Sequence, residues 1–583
     1  MASSCIPLVK QMRESGTAHL SDDILAGIIT AILLIPQGMA YAMLAGLPPE
    51  MGLYASILPP IVYAFIGSSR ALAVGPVAVA ALMVANALSV HYGNESTEAA
   101  FTGAMILAAE TGALLLLMGI FRVGALVSFI SHPVLSGFTS GAAILIITSQ
   151  LKHLSGINLE RGDLFATIVS FSHRINELHV PTLLFGLISV TLLLLARKPL
   201  ARLLVALGVA QKSAVIISRT APLVTVIGAT VIASASQAEG YGLSVVGAIP
   251  SGLPIPGFAF LSAEGWVDLL PSAILIALVG YVESVSVAKV LAARRRQKID
   301  ANRELAALGM SNIASAIGGA MPVAGGFSRS VVNFDAGART QFAAIVTATL
   351  VAVVAVFFTD WFYYLPDAVL AAIIVVAVFQ LIDISGAMSI WRYDRADGVA
   401  LFATALAVPV LGIESGLLIG IGLSLILYLW RTSQPHMAIL GRVPGTDHFR
   451  NINRHQVDTL PTVLIVRVDE NLYFANAGAV ESYLMQKVAT DDDLSDVVLL
   501  MSAVNYIDSS ALEMLEHLEQ DFLATGVSMH FAEVKGPVMD RLRHTHLGKA
   551  LADKRIHLSA KHAWSALSKQ AQENKLSNHK GRR

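Results

Sequence analysis

The sequence predicts an α-helical membrane protein of fourteen spans, built as an inverted repeat of seven plus seven with two half-helices, followed by a C-terminal soluble α/β domain. Three observations predict it. Only 14% of the 583 residues are charged and 55% are hydrophobic, against about 25% charged in an ordinary soluble domain. The charge is uneven: residues 24–432 hold long apolar runs, and 433–583 are rich in Asp, Glu, Lys, Arg and His. The apolar runs also form two sets of equal, odd number, so the two halves would insert in opposite orientations. The expected organisation is a cytoplasmic segment at 1–19, a transmembrane domain at 20–432, a linker at 433–460, a soluble domain at 461–572 and a tail at 573–583.

A span needs about 20 apolar residues. The first set of runs lies near 24–44, 51–67, 72–90, 101–121, 133–151, 180–196 and 221–236. The second lies near 269–291, 304–320, 326–338, 341–358, 366–381, 397–412 and 415–431, with 72–90 and 326–338 the least suited to cross as full spans. Positive charge should mark the cytoplasmic connections. With the N-terminus inside, those connections carry Arg70, Arg122, Arg197, Lys198 and Arg202, then the run Arg294 to Lys298, Arg339, Arg392, Arg395 and Arg431. Outside connections such as "HYGNESTEAA", "TDWFYYLPD" and "GIES" are acidic or neutral, and only 152–179 departs, with Lys152, Arg161 and Arg174. The protein is therefore expected in the cell membrane, as in a bacterial inner membrane, with both termini cytoplasmic. No cleavable signal peptide is expected at its start.

After the membrane domain the periodicity changes. "TVLIVRVD", "LYFAN", "DVVLLMS" and "VSMHFAE" predict strands, and helices are predicted at 476–489, 509–526, 537–546 and 560–572. Near-neutral net charge gives no sign of nucleic-acid binding, and the single cysteine, Cys5, excludes an intrachain disulfide or a cysteine metal site. Neither "HTH" (544–546) nor "DDD" (491–493) has metal-ligand neighbours, so both are expected on solvated surface. No cofactor, metal or catalytic constellation is expected. The absence of a GxxxxGK[ST] motif argues against an ATP-driven pump.

The chemistry concentrates in the two short segments, "ALAVGPVAVAAL" (71–82) and "VAGGFSRSVVNF" (323–334), third in each half. Glycine and proline at this depth suggest an extended strand followed by a helix that starts inside the membrane. Such a start offers unpaired N–H groups and about half a positive charge. Two of them face to face would hold an anion near the midplane; the plainer reading is close packing through small residues. Pro76 suits a first helical turn. Arg329 costs about 2.5–3.5 kcal/mol in hydrocarbon on insertion scales, so it should face a cavity or a partner. Glu283, in "ALVGYVESVSVAKVL", is the candidate partner, either as a structural ion pair or as a group lining the cavity. Gln37 lies in the first span of the first half, with Tyr41 four residues on along the same face. Ser328 and Ser330 add hydroxyls.

These residues carry a resemblance. "IPQGMAYAMLAGLPPEMGLYASILPPIVYAFIGSSRALAVGPVAV" (35–79), "GGFSRSVVN" (325–333) and "YIDSSAL" (506–512) resemble the sulfate permease (SulP) family of anion transporters, over about residues 20–570. The resemblance implies a core domain and a gate domain that move in an elevator-like manner, half-helices at the third and tenth spans, and a homodimer in the lipid bilayer. It places the anion at Gln37, Tyr41, Val77 and Ala78, with Phe327, Ser328 and Arg329 opposite. Sodium-driven bicarbonate members have a hydroxyl residue where this chain has Phe327, which tells against sodium coupling. The soluble domain resembles the STAS domain, whose free-standing relatives are phosphorylated on a serine of the "DSSAL" stretch; Ser509 or Ser510 would be that regulatory serine, or a plain helix N-cap. The function expected is secondary active transport of an inorganic oxyanion, sulfate first, with protons as a coupling ion through Glu283. Bicarbonate or dicarboxylate transport, and an anion channel or sensor signalling through the STAS domain, are the alternatives.

Overall fold

The computed structural model describes residues 7–580 apart from 16–18, 94–95, 125–130, 160–163, 197, 212–213, 215–216, 219 and 552–553. Cys5, Arg161 and Arg197 lie outside the described residues. The chain divides into two compact units, Met1–Ser424 and Leu425–Arg583.

The first unit is helical, and each of the fourteen expected segments contains a helix. Among the described residues, six helices are long and apolar enough to cross a membrane by themselves, or seven if the bent pair Val180–Ala196 and Pro199–Ala206 is one span. The second expected segment is broken into Pro49–Tyr54 and Leu58–Ile66. Prolines at the start of each piece favour a new helix there, because their missing N–H falls among donors that have no intrahelical partner. An apolar helix at Leu164–His173 occupies part of the stretch read as an outside connection.

The first long helix, Leu20–Leu44, is buried along most of its length. It packs so closely on Pro49–Tyr54 that a Cβ on Gly52 would lie 2.0 Å from the Gly38 carbonyl oxygen. Only glycine permits that approach. At its other end Asp23 accepts from the Arg339 and Thr340 amides and from Thr340 Oγ1.

Each of the two short segments is a short strand followed by a helix. Residues Val74–Gly75 (β1) and Ala324–Gly325 (β2) pair antiparallel, with Val74 opposite Gly325 and Gly75 opposite Ala324. Helices Ala78–Tyr92 and Phe327–Asp335 start at once beyond them, with Val77 and Gly326 as N-caps. Pro76 is therefore not in a first turn; it precedes the cap, where the strand conformation has no use for an N–H.

Extended backbone at this depth must satisfy its polar groups with protein partners. Asn312 brackets Val323, accepting from its N–H and donating to its carbonyl, both at 2.9 Å. Ser284 Oγ accepts from the Gly325 amide at 2.8 Å. Gln341 Nε2 donates to the carbonyls of Ser69 and Leu72, and Asn333 Nδ2 to that of Ala71.

The second unit is a six-stranded sheet of Met437–Arg442 (β3), Phe449–Asn451 (β4), Val463–Val468 (β5), Asp496–Leu500 (β6), Ser528–Ala532 (β7) and Ile556–His557 (β8). Its order is β4-β3-β5-β6-β7-β8, with β5 to β8 parallel and β3 antiparallel to both its neighbours. Alternation along the strands feeds two cores. Val466, Leu499 and Phe531 pack with Leu515 and Phe522, while Ile465, Val498 and Leu500 pack with Ala563 and Leu567.

Two stretches differ from expectation. The linker at 433–460 contributes β3 and β4, because Ala438 and Leu440 bury against the second of those cores. "LYFAN" forms only a bridge at Leu472 before the helix Phe474–Ala489 begins, since Asn476 Oδ1 accepts from the Tyr473 amide and closes the first turn.

The cap of the helix Ser509–Ala524 is also reassigned. Asp508 is its N-cap, accepting from the Ala511 amide at 2.8 Å, and its other oxygen accepts from the Phe474 amide at 2.8 Å. A carboxylate can serve two helix starts at once, whereas a hydroxyl cannot reach both. Ser509 and Ser510 follow the cap and are exposed. Asp508→Ala should therefore cost about 1–2 kcal/mol of domain stability and Ser509→Ala under about 0.5 kcal/mol. Denaturant unfolding of the isolated unit would check this, and equal costs would return the cap to serine.

Candidate functional site

The β1–β2 pairing brings the starts of helices Ala78–Tyr92 and Phe327–Asp335 to one small cavity of about 60 Å³. All seven residues expected around an anion line it: Gln37, Tyr41, Val77, Ala78, Phe327, Ser328 and Arg329. Glu283, expected as the coupling group, lines it as well. Gln37 and Tyr41 both face it from the Leu20–Leu44 helix, as their spacing of four requires.

Arg329 is the centre of the arrangement. It is 2% exposed and donates through Nη1 to the Pro76 carbonyl, across the strand pair. Its Nε and Nη2 have no acceptor among the described residues. The glycines around it make the room: a Cβ on Gly326 would lie 2.9 Å from Nη2, and one on Gly75 3.4 Å. The expected ion pair with Glu283 is not formed, and Glu283 Oε2 is buried without a hydrogen-bond partner. The Pro76 carbonyl takes one guanidinium N–H instead, which leaves both charged groups on the cavity wall.

The hydroxyls divide. Ser328 is exposed to the cavity, while Ser330 is fully buried, and its Oγ accepts from the Ala73 amide at 2.9 Å. Ser330 therefore clamps the strand crossing and does not line the site. Its place in the helix explains this, because two residues on from Ser328 points to a different face.

Sequence reasoning missed the third wall. Ala377, Val378, Gln380 and Leu381, at the end of the helix Asp367–Val378, close the cavity. Gln380 in an apolar run was the available signal. It missed the support too: Glu304 is fully buried and accepts from Tyr63 Oη, Ser68 N, Ser68 Oγ and Ser69 N at 2.7–3.1 Å, holding the turn that leads into β1. Arg295, one of the run read only as topological charge, donates to the Phe334 and Ala338 carbonyls and stacks on the Phe334 ring, bracing the far end of the Phe327–Asp335 helix. Gln37, Phe327, Ser328, Ala377 and Gln380 also line a wider cavity of about 810 Å³, which adjoins the small one.

The chemistry available is anion recognition. Two helix starts supply backbone N–H groups and partial positive charge, one guanidinium supplies a full charge, and Ser328, Tyr41 and Gln37 supply neutral donors. No group of three or more His, Cys, Asp or Glu that could hold a metal occurs among the described residues.

The model of the sulfate permease family matches residues 20–404, and that of the STAS domain matches 454–563. Sulfate transporter 4.1, chloroplastic, of Arabidopsis thaliana is 38% identical over 519 residues, 87% of this chain and 74% of that protein. Probable sulfate transporter Rv1739c of Mycobacterium tuberculosis is 34% identical over 555 residues, covering 95% of this chain and 96% of its own. The fold is shared with the murine Solute Carrier 26 family member A9 anion transporter in the inward-facing state, at a TM-score of 0.86 and 22% identity over 97% of this chain and 94% of that one. The transmembrane domain of a cyanobacterial bicarbonate transporter, BicA, matches at a TM-score of 0.58 and 21% identity, over 70% of this chain and 98% of its own.

Proposed function

The chain belongs to the sulfate permease family, and we propose that it is a secondary active transporter of an inorganic oxyanion, sulfate first, coupled to protons. Anion transport follows from the family and from the names its relatives bear. Sulfate is the first substrate because the Arabidopsis and mycobacterial relatives are named for it.

The observation that carries the reading is the Arg329 guanidinium, buried with Nε and Nη2 accepted by no described residue, at a cavity where two helices start. A buried unpaired donor costs about 1–3 kcal/mol, more when charged; an oxyanion with several acceptor oxygens would remove that cost. Gln37, Tyr41, Val77, Ala78, Phe327, Ser328 and Arg329 form the binding site in this reading. The antiparallel strand crossing supports an inverted repeat, and elevator-like movement of the half-helix bundle would carry the anion across. The protein acts as a homodimer in the cell membrane with both termini in the cytoplasm, and the STAS domain, with Ser509 or Ser510, regulates it. Uptake of radiolabelled sulfate into proteoliposomes tests the reading: it should saturate, show counterflow and exceed uptake of bicarbonate or succinate. Unsaturable conductive flux would make the protein a channel instead.

Glu283 is the proton carrier in this scheme. Its carboxyl shares the cavity with Arg329 without being consumed by it. Protonation would remove a negative charge from the path of the entering anion, and the proton would travel with it. Uptake should rise as external pH falls, and Glu283→Gln should flatten that dependence while preserving binding. A pH profile in the variant that matches the unaltered protein would assign coupling elsewhere.

A further inference from the structure

A second large cavity, of about 550 Å³, lies along the same two helices that build the central site. On Leu20–Leu44, Gln37 and Tyr41 line the central cavity and Met43 and Leu44 the second, while Leu33, on the other side of Gln37, lines the 810 Å³ cavity. On Ala78–Tyr92, Ala78 lines the central cavity, and Leu82, Ala85, Asn86 and Ser89 line the second. These positions make one helical stripe, so the stripe runs from the site to the second cavity, with Asn86 about 12 Å beyond Ala78 at 1.5 Å per residue. The central cavity thus lies between two larger ones. It shares five lining residues with the 810 Å³ cavity and none with the 550 Å³ one.

The polar residues of the second cavity are Asn86, Ser89, Thr148, Ser149, Gln150, Lys152, His153 and Thr167. Lys152 is half-buried there, and its ammonium makes no hydrogen bond or ion pair with a described residue. Asp367 is within Coulombic reach of it but lines none of the three cavities. Lys152 is also one of the cations that departs from the expected charge rule. With the N-terminus of the Leu20–Leu44 helix inside, the second cavity opens on the outer face, where a lysine is unfavoured for insertion. Of the other two departures, Arg161 lies outside the described residues and Arg174 donates to the Asn158 carbonyl at 2.9 Å.

We propose that this second cavity is the outer antechamber of the transport path, in which Lys152, with Asn86, Ser89 and Ser149, captures a small inorganic oxyanion before the barrier beside Tyr41 opens. The proposal rests on the transport reading above. An ammonium at the mouth of a low-dielectric cleft raises the local concentration of an anion without binding it so tightly that it cannot leave. Its effect on a divalent anion a few ångströms away through water is about ten-fold.

Two measurements test it in the full-length protein. Cys5 is the chain's only cysteine, so a Cys5→Ser background carrying Asn86→Cys reports on the cavity alone. An anionic thiol reagent applied from the outer face should modify Asn86→Cys faster than a cationic reagent of the same size. Lys152→Gln should lower that rate ratio several-fold, Lys152→Arg should keep it, and raised salt should compress it. A ratio that ignores Lys152 overturns the antechamber. In oriented membrane vesicles, Lys152→Gln should raise the half-saturating concentration of radiolabelled sulfate about ten-fold from the outer face, and far less from the inner one. No difference between the faces also overturns it. If the unaltered protein moves no sulfate from either face while the thiol ratio behaves as expected, the transport reading fails and the electropositive cavity stands.

Discussion

Ser328→Trp should abolish saturable anion binding and transport while the protein still folds. Ser328 sits in the first turn of the Phe327–Asp335 helix, exposed to the cavity, and its hydroxyl bonds to no described residue, so nothing in the scaffold depends on it. An indole at that position would project into a cavity of about 60 Å³ that it cannot share with an oxyanion. It would also cover the helix-start N–H groups and come between the anion and Arg329. Affinity should fall by more than about 100-fold, some 3 kcal/mol. The part of the ring that the small cavity does not hold extends into the wider adjoining cavity of about 810 Å³ without pushing on the core, so thermal stability should change little. Equilibrium binding of radiolabelled sulfate, read beside a thermal melt, separates the two effects. Retained affinity in a folded variant would remove Ser328 and the helix start from the site.

The second large effect is structural. Glu304→Ala removes the acceptor of four donors at once, leaving Tyr63 Oη and the Ser68 and Ser69 amides buried or half-buried without partners. At about 1–3 kcal/mol for each buried orphan, the loss is about 3–5 kcal/mol, enough to lower the melting temperature sharply and to loosen the turn feeding β1. Glu304→Gln keeps one acceptor oxygen and introduces a competing donor, so its loss should be intermediate. Thermal unfolding in detergent orders the three proteins, and an alanine variant as stable as the parent would show that the turn finds other partners. Because β1 positions Pro76, and Pro76 holds Arg329, partly folded Glu304→Gln should also bind anion more weakly.

Much of the candidate site's geometry was legible because each component obeys a local rule. Gln37 and Tyr41 are four apart on a helix. Gly75-Pro76 and Gly325-Gly326 interrupt apolar runs, and Arg329 is too costly in hydrocarbon to lack a purpose. The supporting residues were not legible. Glu304 stands in the first turn of its helix, where an acidic residue is ordinary, and nothing local says that its partners are more than 200 residues away. Arg295 hid in a run whose topological role sufficed to explain it. Gln380, alone in an apolar stretch, could as well have bridged two helices.

Composition and period decided which solvent each part of the chain occupies, which segments are helical and where two of them break, since those properties depend on neighbours within a turn or two. Three-dimensional packing decided what the breaks bring together. The antiparallel crossing of β1 and β2 joins positions about 250 residues apart and sets two helix starts on one cavity. It also turned Ser330 from a supposed donor into a clamp, left Arg329 bonded to a carbonyl instead of Glu283, and gave the STAS helix cap to Asp508. Each of those outcomes turns on which acceptor lies within about 3 Å of a given donor, a distance that exists only once segments remote in the chain have packed together.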